Sequence, residues 1–159
     1  MEFKSGAKVV HKTHGVGIIQ GIEALNFNGN EQDYYLLKIV SSGLMVRFPK
    51  TGKTSIVRSL ATEQEIAEIF ETLRGDGIEY SMSWNKRRKE FERKIQSGSL
   101  VEISEVLRDL SLLRHKKELS YGEKDILEAA RSRILNEISA AKATSSNQVA
   151  EEIEKALER

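Results

Sequence analysis

Trp84 is the only tryptophan in this chain of 159 residues, and Lys86, Arg87, Arg88, Lys89, Arg93 and Lys94 follow it within ten positions. Glu90 and Glu92 are the acids among them, so Ser83–Lys94 carries six positive and two negative charges, about +4, in a chain of net charge +1. Cations neutralise phosphates, and a large ring stacks on bases or wedges between them, so the stretch has the composition of a nucleic-acid contact. Set at 100° per residue, Trp84, Phe91 and Ile95 share one stripe flanked by Arg87 and Arg88, while Lys86, Lys89 and Arg93 gather opposite. The stripe assigns Phe91 and Ile95 to a core. Trp84, in the first turn, is open to two readings: a core residue, or a ring that projects past the helices into a groove.

The remaining chemistry-bearing patterns are weaker. Lys50–Thr54 (KTGKT) resembles the end of a phosphate-binding loop, but that motif needs a glycine where Arg47 stands and a helix where TSIVR reads as a strand. A hairpin turn is the simpler reading. His11 and His14 form H-x-x-H in a strand-and-turn context, and His115 lies far off in a basic helix; zinc needs three or four such ligands, so no metal site is expected. No serine sits in a nucleophile elbow, and the acids are spaced along helix faces as ion-pair partners. An enzyme, a cofactor and a small-molecule substrate are therefore not expected.

Two kinds of element must position these residues. Before about residue 60, Lys8–His11, Gly15–Glu23, Tyr34–Val40, Leu44–Phe48 and Ser55–Arg58 are short, β-branched or aromatic runs. Turn residues such as Asn28-Gly29-Asn30 and Ser41-Ser42-Gly43 separate them, which predicts a small antiparallel barrel. Gly15, Gly17 and Gly21 suit its bends, and the sole proline, Pro49, ends a strand or marks an edge on which a partner strand can add. After residue 60 the period turns helical. Thr62/Glu65, Ser99/Glu102 and Ser120/Glu123 have capping-box spacing, Ser83 can cap the basic helix, and Gly98 should end it. Apolar stripes then predict an all-α bundle, with a last amphipathic segment through Val149, Ile153, Ala156 and Leu157. The expected class is α+β in two domains, 1–60 and 61–159, with the helix 62–74 and a hinge in 75–82 leading to the basic helix; Gly75-Asp76-Gly77 reads as the hinge between the two halves.

There is no cysteine, which suits a reducing, cytoplasmic setting. No apolar run approaches the ~20 residues of a membrane helix, and the first twelve residues have no signal-peptide core. A net charge near zero confines any polyanion binding to a local patch.

Five segments in order carry a resemblance: MEFKSGAKVVHKTHGVGIIQGIE at the start, LMVRFP at Leu44–Pro49, SWNKRRKE at Ser83–Glu90, VLRDL at Val106–Leu110, and LSYGEKDILEAAR at Leu119–Arg131. Together they resemble the CarD/CdnL family of bacterial transcription regulators over essentially the whole chain. The first half alone is also similar to the polymerase-interacting module of transcription-repair coupling factor. The resemblance implies a Tudor-like β barrel that docks on the N-terminal lobe of the RNA polymerase β subunit, largely through an edge strand. It also implies a helical domain that binds promoter DNA at the upstream edge of the transcription bubble. On that pattern Trp84 is the wedge, Lys86, Arg87 and Lys124 are DNA contacts, and Arg47 is a polymerase contact. Arg88 and Lys89 join the DNA side by proximity alone, and Met45 the polymerase side. The polymerase side also takes in Leu25, where the chain departs from the family's common second polymerase-contacting arginine, and Phe27, which replaces an aliphatic residue and is expected to serve the same contact. The expectation is a non-enzymatic factor that stabilises open complexes with little sequence specificity. The rival is an interaction adaptor whose helices never touch DNA.

Overall fold

The structure, a computed structural model, describes residues 2–51, 56–77 and 83–159. The chain divides into two compact units, Met1–Leu60 and Ala61–Arg159.

The first unit is one antiparallel five-stranded sheet in the order β4-β3-β2-β1-β5: β1 Lys8–His11, β2 Gly15–Phe27, β3 Asn30–Ile39, β4 Met45–Pro49 and β5 Val57–Arg58. Val9, Ile19, Tyr35, Leu37, Ile39, Phe48 and Val57 form its core. Phe3 lies edge-on to Tyr35 and Phe48, and its amide donates to the Tyr35 hydroxyl at 3.0 Å. Gly17 is required by contact: a Cβ there would stand 2.7 Å from Leu37 Cγ. Strands β2 and β3 run further than hydrophobicity predicts, meeting at Asn28-Gly29 with Phe27 opposite Asn30. Both turn residues have positive φ (54° and 82°), the type I′ geometry that matches strand twist and that Asn-Gly adopts at least cost. Ser55 and residues 52–54 of KTGKT lie outside the described residues; the chain resumes as strand, not helix, at Val57.

The second unit holds α1 Glu63–Arg74, α2 Trp84–Gln96, α3 Leu100–Lys116, α4 Tyr121–Lys142 and α5 Ser146–Leu157. Helix α3 is central and packs against the other four, burying Ile103, Val106, Leu107 and Leu110. Phe91 is fully buried and Ile95 packs partly buried on the same core. The last segment docks: Val149, Ile153, Ala156 and Leu157 are buried. Beyond them the Arg159 guanidinium donates to the carbonyls of Leu73 (3.0 Å) and Gly75 (2.7 Å), closing the open end of α1. No described helix is long and apolar enough to cross a membrane.

Three local expectations need correction. Gly75-Asp76-Gly77 is not a hinge between the halves, because α1 packs on α3 and α5 within the helical unit. Gly77 fits so closely against α3 that a Cβ would lie 2.7 Å from Leu112 Cδ1; residues 78–82 of the supposed hinge lie outside the described residues. Ser83 occupies the N-cap position of α2 without a side-chain cap bond. Ser99 accepts from the Glu102 amide, yet Glu102 completes no reciprocal box and lies 3.4 Å from Arg93 instead.

Candidate functional site

In the sheet, the register decides which side chains share a face. Met45 stands opposite Lys38 and Arg47 opposite Leu36 across β4–β3; Glu23, Leu25 and Phe27 stand opposite Tyr34, Gln32 and Asn30 across β3–β2. Paired positions project to the same side, so Leu25, Phe27, Met45 and Arg47 all lie on the outer face, away from buried Tyr35, Leu37 and Ile39. Phe27 and Met45 are exposed (58% and 41%), and Phe27 meets Tyr34 edge to face at 6.2 Å. Leu25 is half-buried. Arg47 Nε lies 2.9 Å from Glu23 Oε2 with both side chains well exposed. Such a pair contributes roughly 0–1 kcal/mol, so it orients the guanidinium more than it stabilises the sheet.

Strand β4 is an edge, paired with β3 alone among the described residues. The Ile39 amide donates to the Leu44 carbonyl and the Lys50 amide to the Asp33 carbonyl. With the register, this makes 44, 46, 48 and 50 the positions bonded to β3. The amide and carbonyl groups of Met45 and Arg47 therefore face outward, and Pro49 offers no donor there. A partner strand can add at this edge, with the Arg47 and Met45 side chains beside it.

His11 is built into the turn that follows β1. Its Nδ1 accepts from the amides of Thr13 (3.1 Å) and His14 (3.2 Å), which commits that lone pair to the β1–β2 turn. Among the described residues no three His, Asp or Glu side chains are grouped to hold an ion.

In the helical unit, Trp84 is the first residue of α2. The ring is half-buried and packs against the helical core, with Cζ2 3.4 Å from where a Gly122 Cβ would be, at the start of α4. The Arg87 guanidinium carbon lies 5.5 Å from the ring centre, a cation–π arrangement. Arg87 Nη2 is also 3.8 Å from Oε2 of Glu123, which is 1% exposed. The other oxygen of Glu123 accepts from the Ser120 amide (2.8 Å) and from Lys117 Nζ (3.1 Å). Burial pushes the Glu123 carboxyl up, but the Ser120 amide and the Lys117 ammonium outweigh it, and the group lies below its ordinary value. Glu123 Oε2 and Arg87 Nε are buried with no hydrogen-bond partner.

The remaining cations fall into two sets. Lys86, Lys89 and Lys124 are exposed, and Lys124 sits two residues from Gly122, which brings it to the Trp84 end of α2. Arg88 is exposed but 3.7 Å from Glu92. Arg93 bonds Glu90 at 2.8 Å and holds that carboxyl below its ordinary value. Lys94 is buried, 3.7 Å from Glu105, so it belongs to the interior and not to a phosphate-facing surface. Sequence reasoning missed the Arg87–Glu123–Lys117 chain. Its one signal was Glu123 at the third helical position after Ser120, and that spacing reports only a cap.

A Tudor-like five-stranded module with an open edge, followed by a five-helix bundle with an aromatic and basic corner, defines a two-domain binding protein. Residues 3–59 match the CarD-like/TRCF RID domain and residues 68–154 match the CarD C-terminal domain. The chain belongs to the CarD family of transcription factors. Among its relatives is the Bacillus subtilis (strain 168) protein named "Putative transcription factor YdeB", 29% identical over 151 residues that span 92% of this chain and 97% of the relative.

Proposed function

We propose that this chain is a non-enzymatic regulator that docks on the β subunit of RNA polymerase, at its N-terminal lobe, and stabilises promoter open complexes. Docking runs through the outward edge of β4 and the outer face carrying Leu25, Phe27, Met45 and Arg47. Trp84 enters the minor groove at the upstream edge of the bubble, while Lys86, Arg88, Lys89 and Lys124 hold backbone phosphates. Arg87 keeps the ring oriented and reaches the backbone beside it. Recognition through backbone and deformability gives little sequence specificity. The protein works in the cytoplasm, wherever polymerase holds DNA, and needs no cofactor.

The observation that supports this most directly is Trp84 itself, the single indole, left half-exposed at the first turn of a basic helix and braced by a cation. A factor shifts closed complexes to open ones only by its differential affinity for the two states. A wedge that fits only melted or kinked DNA supplies that difference. Polymerase docking raises the local concentration of a weak DNA-binding surface, which is why a chain of net charge +1 suffices.

Arg47→Glu should lose co-purification with the isolated β N-terminal lobe. Trp84→Ala should retain it and shorten open-complex lifetime; an unchanged lifetime would remove the wedge. A second reading is an adaptor that never contacts DNA, favoured by the ion pairs that occupy Arg87, Arg88, Arg93 and Lys94. Under it, DNA affinity would be flat against salt, whereas each phosphate held steepens log affinity against log salt by about 0.9.

A further inference from the structure

With four of the six cations of α2 engaged by carboxylates, Lys86 and Lys89 are the two that enter no ion pair among the described residues. Two such cations are few for a helix that must hold a duplex. Further cations, among them Lys117 in its ion pair with Glu123, lie at the corner where α3 hands over to α4. A cleft of about 660 Å³ there is lined by Arg114, His115, Lys116, Lys117 and Lys124, with Glu118 and Glu128 at the same cleft. Arg114 and Lys116 are exposed.

We propose that this α3–α4 corner is a second site for the backbone phosphates of duplex DNA, continuous with the Trp84 end of α2. The inference rests on the DNA-binding reading above and extends it to residues outside the basic helix. Continuity comes from Glu123. Its carboxylate lies 3.1 Å from Lys117 on one side and 3.8 Å from Arg87 on the other, so the cleft and the bracing cation of Trp84 flank one buried group. Lys124 belongs to both, lining the cleft and standing two residues from the glycine that Trp84 touches. A duplex whose groove received Trp84 would lay its flanking backbone along Lys124 toward Arg114 and Lys116. Cations also gather in the last turn of a helix to offset its carbonyl end. That role alone would appear as a small loss of thermal stability on their removal, with no change in DNA binding.

The test uses the full chain and filter binding of a labelled random-sequence duplex between about 0.05 and 0.2 M salt. Arg114→Gln with Lys116→Gln should flatten the slope of log affinity against log salt by about 0.9 for each phosphate no longer held, roughly tenfold in affinity per phosphate near 0.1 M. The charge-retaining pair Arg114→Lys with Lys116→Arg should restore the slope. Lys86→Gln with Lys89→Gln serves as the reference for α2. If that reference flattens the slope and the corner variant does not, the corner does not bind DNA, although the DNA reading stands. If the native chain shows no salt dependence, the DNA reading falls and the corner with it.

Discussion

Glu123 does three things with one carboxylate. It completes the capping box of α4, it neutralises Lys117, and it stands beside the guanidinium over Trp84. A buried carboxylate accepting charged and backbone donors contributes about 1–3 kcal/mol, so Glu123→Gln should destabilise the helical unit by that order. The sign with pH follows from its lowered value. A carboxyl held below about 4.5 in the folded state adds stability above that pH and loses it as pH falls through the folded value. Urea unfolding of native and variant proteins should therefore differ at neutral pH, and the difference should shrink as the pH falls through the lowered folded value. Equal stabilities at neutral pH would mean that the uncompensated oxygen cancels what its partner gains. The same variant should shorten open-complex lifetime, because Arg87 loses the group that holds it over the ring.

At the scale of elements, strands and helices follow from local chemistry wherever the sequence is strongly patterned. The β-branched runs at Lys8–His11 and Gly15–Glu23, the Asn28-Gly29 turn, and the Thr62 and Ser120 caps are all legible, because each depends on residues within a few positions. The distal half of the β2–β3 hairpin is not, since Asn26, Glu31, Gln32 and Asp33 are polar and read as loop; long-range pairing makes them strand. The exposed corner is half-legible for the same reason. Periodicity puts Trp84 on a stripe, but the partners of Arg87 and Lys94 are on other helices, at Glu123 and Glu105, and no spacing encodes them. Two substitutions measure the elements directly. Leu110→Ala empties a site at the centre of α3 and should cost about 2–5 kcal/mol in thermal or urea unfolding of the helical unit. Gly17→Ala forces Leu37 aside and should cost about 1–3 kcal/mol in the sheet unit while leaving the helical transition where it is. A helical transition that moves with Gly17→Ala would show that the units unfold together.

At the scale of the molecule, each unit has its own core, one of sheet residues and one drawn from all five helices. The two proposed binding surfaces, one for polymerase and one for DNA, stand on separate units of one chain. Linkage by itself can raise avidity by about 10²–10⁴ over either surface acting singly. Residues 1–60 and 61–159, supplied as separate chains, should each retain its own partner. Mixed together they should fail to prolong open complexes at concentrations where the intact chain does. Full activity of the mixture would indicate that the helical unit reaches DNA without recruitment.

One further consequence comes from the lone indole and the lack of any thiol. Light absorbed selectively by Trp84 is emitted from the very group assigned to the groove, against a background of tyrosines and phenylalanines alone. Its spectrum records the neighbouring Arg87 guanidinium in the free protein and any stacking on bases in the bound one, without a label. A cysteine placed elsewhere would be unique, so an acceptor dye can be attached to any chosen surface and its distance from that emitter followed while polymerase opens the promoter. The chain comes ready for optical study of its own encounter with DNA.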